Sequence, residues 1–157
     1  MSGEYFRLAL LGVLGMLLIC AAITDLRARI ISNRLTMTIA VLAPLWWVAC
    51  DLPLWPGIAA QFALALLVLT LFAALFSLGW MGGGDVKLLA ALALWFPWQA
   101  VVSLLVLMAV LGGLVTVVTV LHHRLTKRRG QPEIPYGIAI SLAALWLLGE
   151  RYLNQFA

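Results

Sequence analysis

Two of the chain's three aspartates stand at the borders of long apolar stretches. Asp25 ends the first stretch and Asp85 begins the fourth, whereas Asp51 falls in a segment rich in turn-forming residues. Two carboxylates that come together cannot both ionise at low cost, so such a pair shares one proton. The ionised carboxylate can take a proton from water, while the protonated one donates to the oxyanion that develops on the peptide carbonyl as the water attacks. These residue types therefore suggest hydrolysis of a peptide bond, for which no metal ion is required.

Each aspartate also has a purely structural alternative. Asp85 follows three glycines and could be the N-cap of the helix that begins there. Asp25 could be an interfacial residue paired with Arg27 or Arg29. A carboxylate at the edge of the hydrocarbon usually faces protein or a wet cavity and is often functional. Position alone leaves both interpretations open.

The composition places these carboxylates in a membrane protein. Of 157 residues, 65% are hydrophobic and 10% are charged, and the mean hydropathy is +1.10. A soluble domain is about 45–50% apolar and about 25% charged. A soluble globular domain and a disordered chain are therefore both excluded. The net charge of +4 is better explained by basic cytoplasmic loops than by a nucleic-acid partner.

Breaks in the hydrophobic pattern predict an all-α fold with about six transmembrane helices in one bundle. The bundle is expected to form a single domain over residues 1–157, in which the first span is retained and is not a cleaved signal peptide. Pro44 predicts a kink in the second span, and the fourth span is short for a full crossing. The predicted spans are 5–24, 35–50, 58–78, 85–96, 100–121 and 134–148.

The positions of the basic residues predict the orientation. The loops after spans one, three and five contain eight of the ten Lys and Arg residues, namely Arg27, Arg29, Arg34, Lys87, Arg124, Lys127, Arg128 and Arg129. Lys and Arg are enriched in cytoplasmic loops, so this side is predicted to be cytoplasmic and both termini periplasmic. A tryptophan belt is expected at the opposite interface, formed by Trp46, Trp47, Trp55, Trp95, Trp98 and Trp146. Cys20 and Cys50 lie near opposite ends of their spans, so no disulfide between them is expected.

Three short motifs accompany the aspartates. Asn33 follows Asp25 by eight residues in an Ile-Ser-Asn run, and residues 82–87 match the pattern G-x-G-D-x-K. The third motif, I-P-Y-G-I-A, opens the last span at residues 134–139. Glycines before an aspartate let an extended peptide approach the carboxylate closely. A flexible hinge or glycine-mediated helix packing would also explain them.

With these motifs in this order, the chain resembles the type IV prepilin peptidases, which are membrane aspartic proteases with a GxGD motif. Ser32 stands where that family usually has proline. The resemblance implies that Asp25 and Asp85 are the catalytic pair. It implies pilin-like precursors as substrates, cut before their apolar helix at the cytoplasmic face of the bacterial inner membrane. It also implies substrate-binding or supporting roles for Asn33, Gly82, Gly84, Lys87, Pro135, Tyr136 and Gly137.

The supporting residues have structural alternatives as well. Lys87 could orient Asp85 or its neighbours, or could only extend its amine to the interface. Asn33 could hydrogen-bond within the first loop or could be the N-cap of the second span. Pro135, Tyr136 and Gly137 are expected mainly to shape the start of the last span near the aspartates.

No cofactor and no metal are expected. The chain resembles the short, peptidase-only members that serve tight-adherence (Flp-type) pili, because it lacks the paired C-x-x-C motifs of the methylating members. Methyl transfer is therefore not expected.

Adjacent His122 and His123 point to different helix faces and suit a helix C-terminus better than a metal. The basic cluster at 124–129 could bind anionic membrane lipid or could only set topology. The oligomeric state is not predicted.

Two other functions fit some of the same residues. A non-enzymatic membrane subunit or small proton or cation transporter could use Asp25 and Asp85 as an ion path. A presenilin-like intramembrane protease would share the GxGD motif. That group has P-A-L in the last span, whereas this chain has Pro135-Tyr136-Gly137.

Overall fold

The computed structural model describes residues 2–125 and 136–150, and within those residues the regular structure is helical with no strand. The prediction of an all-α fold is therefore confirmed. A short segment at Leu54–Ile58, in which Trp55 has the non-helical angles φ −128° and ψ 130°, precedes the third helix in the region where the sequence predicted a turn. The six α-helices are α1 (Ser2–Ala28), α2 (Asn33–Ala49), α3 (Ala59–Ser77), α4 (Gly83–Ala93), α5 (Trp98–Leu125) and α6 (Tyr136–Leu148).

Helix length and composition identify an integral membrane protein. Among the described residues, three helical segments are long and apolar enough to cross a membrane: Gly3–Ala28, Leu54–Ser77 and Trp98–Leu121. Helix α2 has 17 residues with Pro44 inside it, at the place where the kink was predicted. Helix α6 is a shorter apolar helix. The number of six crossings stays a prediction.

Helix α4 is short but enclosed by its neighbours. Its 11 residues rise about 16 Å, against about 30 Å of hydrocarbon. Helices α2, α3 and α6 pack around it, and seven of its residues are buried. A short helix with a carboxylate in its first turn is tolerated in a membrane when protein surrounds it in this way.

Three tryptophans of the predicted interfacial belt belong instead to the core, so the prediction is wrong for them. Trp46, Trp47 and Trp95 are buried. The rings of Trp46 and Trp95 stack with centroids 5.9 Å apart. Trp47 Nε1 donates to the carbonyl of Leu94 at 2.7 Å, and Trp95 Nε1 donates to that of Ile39 at 2.9 Å. Buried main-chain carbonyls need such donors in an apolar setting. The belt residues that are exposed are Trp55, Trp98 and Trp146.

One end of the bundle is tied together by Arg7. Its Nε donates to the carbonyl of Ala49 at 2.5 Å, and its Nη2 lies 3.4 Å from Oδ2 of Asp51. The start of α1 and the end of α2 therefore share one end of the molecule, as alternating spans require. Cys20 and Cys50 are both free, which confirms that they form no disulfide.

Candidate active site

Asp25 lies in the last turn of α1, and its carboxylate is held by the start of α6. The helix ends after Ala28, where Arg29 adopts a left-handed φ of 54°. The Asp25 side chain is only 5% exposed. Its Oδ2 accepts a 3.0 Å hydrogen bond from the main-chain N–H of Ile138. The first N–H groups of a helix lack partners within the helix and favour a negative charge. Asp25 therefore satisfies a main-chain donor of a helix remote from it in sequence.

Because Gly137 has no side chain, the Asp25 carboxylate can lie directly beside it. A Cβ at position 137 would stand 2.8 Å from Oδ2 of Asp25 and 2.6 Å from Cδ1 of Ile31. Both separations are shorter than van der Waals contact allows. The glycine of the I-P-Y-G motif is therefore required for α6 to approach the end of α1.

Asp85 lies in the first turn of α4, but it is not the N-cap. The N-cap is Gly82, with φ −71° and ψ 141°, so the predicted N-cap role of Asp85 is wrong. Asp85 is the third residue of the helix, and its carboxylate faces the main-chain N–H of Gly82. This is the position of the N3 side chain in a capping box, which turns back towards the N-cap. A Cβ on Gly82 would lie 2.9 Å from Oδ2 of Asp85, so the glycine gives the carboxylate its room.

The two aspartates meet around Ile31. Asp85 is 8% exposed and lies within the electrostatic reach of the Asp25 carboxylate. A Cβ on Gly84 would stand 3.0 Å from Cβ of Ile31, whose Cδ1 also faces Gly137. Ile31 therefore packs between the start of α4 and the start of α6. The structure brings the three sequence motifs together at one end of the bundle.

Lys87 and Asn33 bind each other beside this site. Lys87 Nζ donates to Oδ1 of Asn33 at 2.8 Å, which joins the starts of α2 and α4. The N-cap of α2 is Ser32, whose hydroxyl accepts from the N–H of Leu35 at 3.3 Å. The N-cap alternative for Asn33 is therefore wrong. Lys87 contacts Asn33 at the start of α2, and the described hydrogen bonds do not include one from Lys87 to Asp85.

Tyr136 packs against α5. A Cβ on Gly112 would lie 3.1 Å from Cε1 of the Tyr136 ring, so the ring fills a notch in α5 and fixes the start of α6. Pro135, which completes the predicted motif, lies outside the described residues. So do residues 126–134, and the side chains of His122, His123 and Arg124 are not described either. In the part of the chain that the structure describes, no three His, Cys, Asp or Glu side chains cluster as metal ligands would.

Comparison with known proteins identifies the family of this chain. The type IV leader peptidase family matches the chain over residues 12–117, a range that includes both aspartates. The chain belongs to this family. Residues 136–150, which contain Gly137 and Ile138, lie beyond the matched range.

Two curated relatives from Burkholderia pseudomallei, strains 1026b and K96243, are each named prepilin leader peptidase/N-methyltransferase. Each is 30% identical to this chain over 156 residues, which cover 93% of this chain and 48% of the relative. The chain thus spans about half the length of the curated relatives it matches. No solved structure matches the chain significantly.

In this type IV leader peptidase family member, the carboxylates lie far from the end that Arg7 ties together. Asp25 follows Arg7 by 18 positions on the same helix, which corresponds to a rise of about 27 Å. The hydrocarbon core is about 30 Å thick. When Arg7 and Asp51 lie at one interface, Asp25 and Asp85 therefore lie at the border of the hydrocarbon on the other side.

Sequence reasoning missed two participants in the site. The main-chain N–H of Ile138 donates to the carboxylate of Asp25. The side chain of Ile31 packs between the start of α4, at Gly84, and the start of α6, at Gly137. Every residue except proline has a main-chain N–H group, so the sequence does not show which one binds the carboxylate. Gly137 was the available clue, because a glycine at a helix start suggests that another group approaches closely.

Proposed function

We propose that this protein is an aspartic endopeptidase that removes the short basic leader of type IV prepilin-like precursors. The observation that carries the proposal is the burial of Asp25 and Asp85 together at one end of the bundle. Membership of the type IV leader peptidase family supports it, as do relatives that are named prepilin leader peptidases.

The proposed mechanism uses one proton shared between the two carboxylates. The ionised carboxylate removes a proton from water, and the water oxygen bonds to the carbonyl carbon of the scissile peptide. The protonated carboxylate gives its proton to the carbonyl oxygen. When the carbon–nitrogen bond breaks, the leaving amine takes a proton from the carboxylate that accepted one from water. A hydroxyl group of the tetrahedral intermediate returns its proton to the other carboxylate as the new carboxyl group forms. The pair is then ready for another cycle.

Main-chain donors position both carboxylates for this chemistry. The N–H of Ile138 donates to Oδ2 of Asp25, and the main-chain N–H of Gly82 lies close to the carboxylate of Asp85. Because these donors belong to helix starts, they are fixed before the substrate binds. The orientation that we propose puts this end at the cytoplasmic face of the inner membrane and both termini in the periplasm, in agreement with the excess of Lys and Arg in the loops on that side.

The decisive experiment compares three isosteric variants in a cleavage assay in liposomes. The substrate is a pilin precursor with a basic leader ending in glycine. Asp25→Asn and Asp85→Asn keep the size of the side chain but cannot share a proton, so each should lose nearly all cleavage. Asp51→Asn is the matched control, because Asp51 is 92% exposed and bonded to Arg7. It should cleave as the wild type does.

The outcomes separate the hypotheses. Near-normal cleavage by either Asp25→Asn or Asp85→Asn would contradict the two-aspartate mechanism. A folded wild type that cleaves none of several pilin precursors would contradict the peptidase function. Proton or ion flux that depends on both residues would then support the transporter alternative.

A further inference from the structure

An apolar groove opens along the part of α4 that its neighbours leave uncovered. Helices α2 and α3 each pack on α4 but scarcely contact each other. The space between them is a cavity of about 560 Å³ whose floor is α4. Its walls and floor include Met37, Ala40, Ala65, Leu69, Ala90 and Ala91. The groove therefore runs along the bundle within the hydrocarbon.

The groove begins at the polar pair beside the aspartates. Asn33 and Lys87 line one end, where Lys87 Nζ bonds Oδ1 of Asn33, and Phe62 and Leu94 line the other. The floor from Lys87 to Leu94 rises about 10 Å, which corresponds to about two helical turns. One end of an occupant would thus lie at the level of Asn33 and Lys87, beside the aspartates, and the rest would extend into the membrane.

We propose that this groove holds the apolar helix of the precursor during cleavage. This inference rests on the proposed function. Four of the lining residues are alanines that come from all three helices, namely Ala40, Ala65, Ala90 and Ala91. Small side chains let two helix backbones approach closely, which drives helix association inside membranes. A lipid acyl chain does not need such a small-residue floor on three helices.

The geometry also explains why the cut falls outside the helix. At 100° per residue, the groove face of α4 is opposite Asp85. A peptide leaving the groove at Lys87 must therefore pass the start of α4 to reach the carboxylate. That path is about 10 Å, the diameter of a helix, which about three extended residues cover. It crosses Gly82, whose lack of a side chain leaves the path open.

Neighbouring leucines on α3 provide a matched crosslinking test. Leu66 lines the groove, and Leu67 does not. The two are 61% and 62% exposed. A photoreactive side chain in place of Leu66 should crosslink to the apolar segment of the precursor far more strongly than one in place of Leu67. Equal crosslinking from both positions, or crosslinking from Leu66 to lipid alone, would overturn the groove proposal.

A pair of alanine substitutions tests the same groove by kinetics. Ala40→Leu fills the groove from α2, whereas Ala74→Leu adds the same atoms at an exposed position of α3 that does not line the groove. Overpacking the groove would weaken the binding of a helix there, so Ala40→Leu should raise KM about tenfold with kcat retained. Ala74→Leu should leave both constants unchanged. An unchanged KM for Ala40→Leu would overturn the proposal.

These outcomes differ from those that test the peptidase itself. When the wild type cleaves the precursor and both aspartate variants do not, failure of the crosslinking and KM tests refutes the groove alone. A wild type without cleavage refutes the peptidase function and the groove with it.

Discussion

The main-chain N–H of Ile138 donates a 3.0 Å hydrogen bond to Oδ2 of Asp25, across 113 positions of the chain. This bond links the last turn of α1 to the first turn of α6. It gives the carboxylate a fixed orientation and gives α6 an acceptor for one of its unpaired N–H groups. The catalytic residue that we propose is therefore also part of the helix packing.

Gly137→Ala should disrupt this link. The added Cβ would stand 2.6 Å from Ile31 and 2.8 Å from the Asp25 carboxylate, so the start of α6 must move away from α1. A misplacement of about 1 Å near a reacting group can cost about 100-fold in rate, and we expect a loss of that order in kcat. The measurement is steady-state cleavage of a pilin precursor.

Gly113→Ala is the control for this prediction. Nothing lies within 4 Å of a Cβ at that position of α5. Because alanine favours helix by up to about 1 kcal/mol over glycine, Gly113→Ala should keep full activity and be at least as stable. Equal activity in both variants would show that the tight contact of Gly137 with Asp25 is not needed for cleavage.

The parts of the site that could be predicted are those encoded locally. Asp25 and Asp85 stand out because a carboxylate at the edge of an apolar stretch is rare, and the glycines before Asp85 are visible in any reading of the chain. The order of the helices follows from hydropathy in the same way. Helix ends were less predictable, since α1 continues to Ala28, beyond the predicted span end at residue 24.

Features that depend on tertiary packing could not be predicted. Tryptophan at a helix end is typical of an interface, and nothing local shows that Trp47 turns inward to bond the carbonyl of Leu94. The same holds for Asn33, whose partner Lys87 lies 54 positions away. In each case the partner is found only when separate helices meet.

The bond between Lys87 and Asn33 should contribute modestly to stability. Lys87→Ala and Asn33→Ala should each lower the free energy of unfolding by about 0.5–1.5 kcal/mol, because the pair is exposed. The double variant should cost less than the sum of the two, since either change alone already removes the bond. Asn33→Asp keeps an oxygen acceptor and should retain the stability. Thermal unfolding in detergent measures all four variants, and strictly additive losses would contradict the coupling.

The carbonyl of Leu94 should tolerate the loss of one donor but not of both. Trp47 Nε1 donates to it at 2.7 Å and Gln61 Nε2 at 3.3 Å. Trp47→Phe or Gln61→Leu leaves one donor in place. The double variant removes both donors from a part-buried carbonyl, which costs about 1–3 kcal/mol beyond the single effects. Trp98→Phe, at a 63% exposed position, should change the unfolding midpoint little. A double variant no less stable than the sum of its parts would contradict this role.

The cleavage rate should depend on pH with a bell shape. Below the optimum both carboxylates hold protons, so neither can take one from water. Above the optimum both are ionised, so neither can donate to the carbonyl oxygen. Cleavage should therefore fall on both sides, while circular dichroism of the same samples shows that the helices remain folded. Asp51→Asn should give the same profile as the wild type, because Asp51 bonds Arg7 at the other end of the bundle. A rate that rises with pH to a plateau while the protein stays folded would mean that no protonated carboxylate is required, and that only one of Asp25 and Asp85 takes part in the proton transfers.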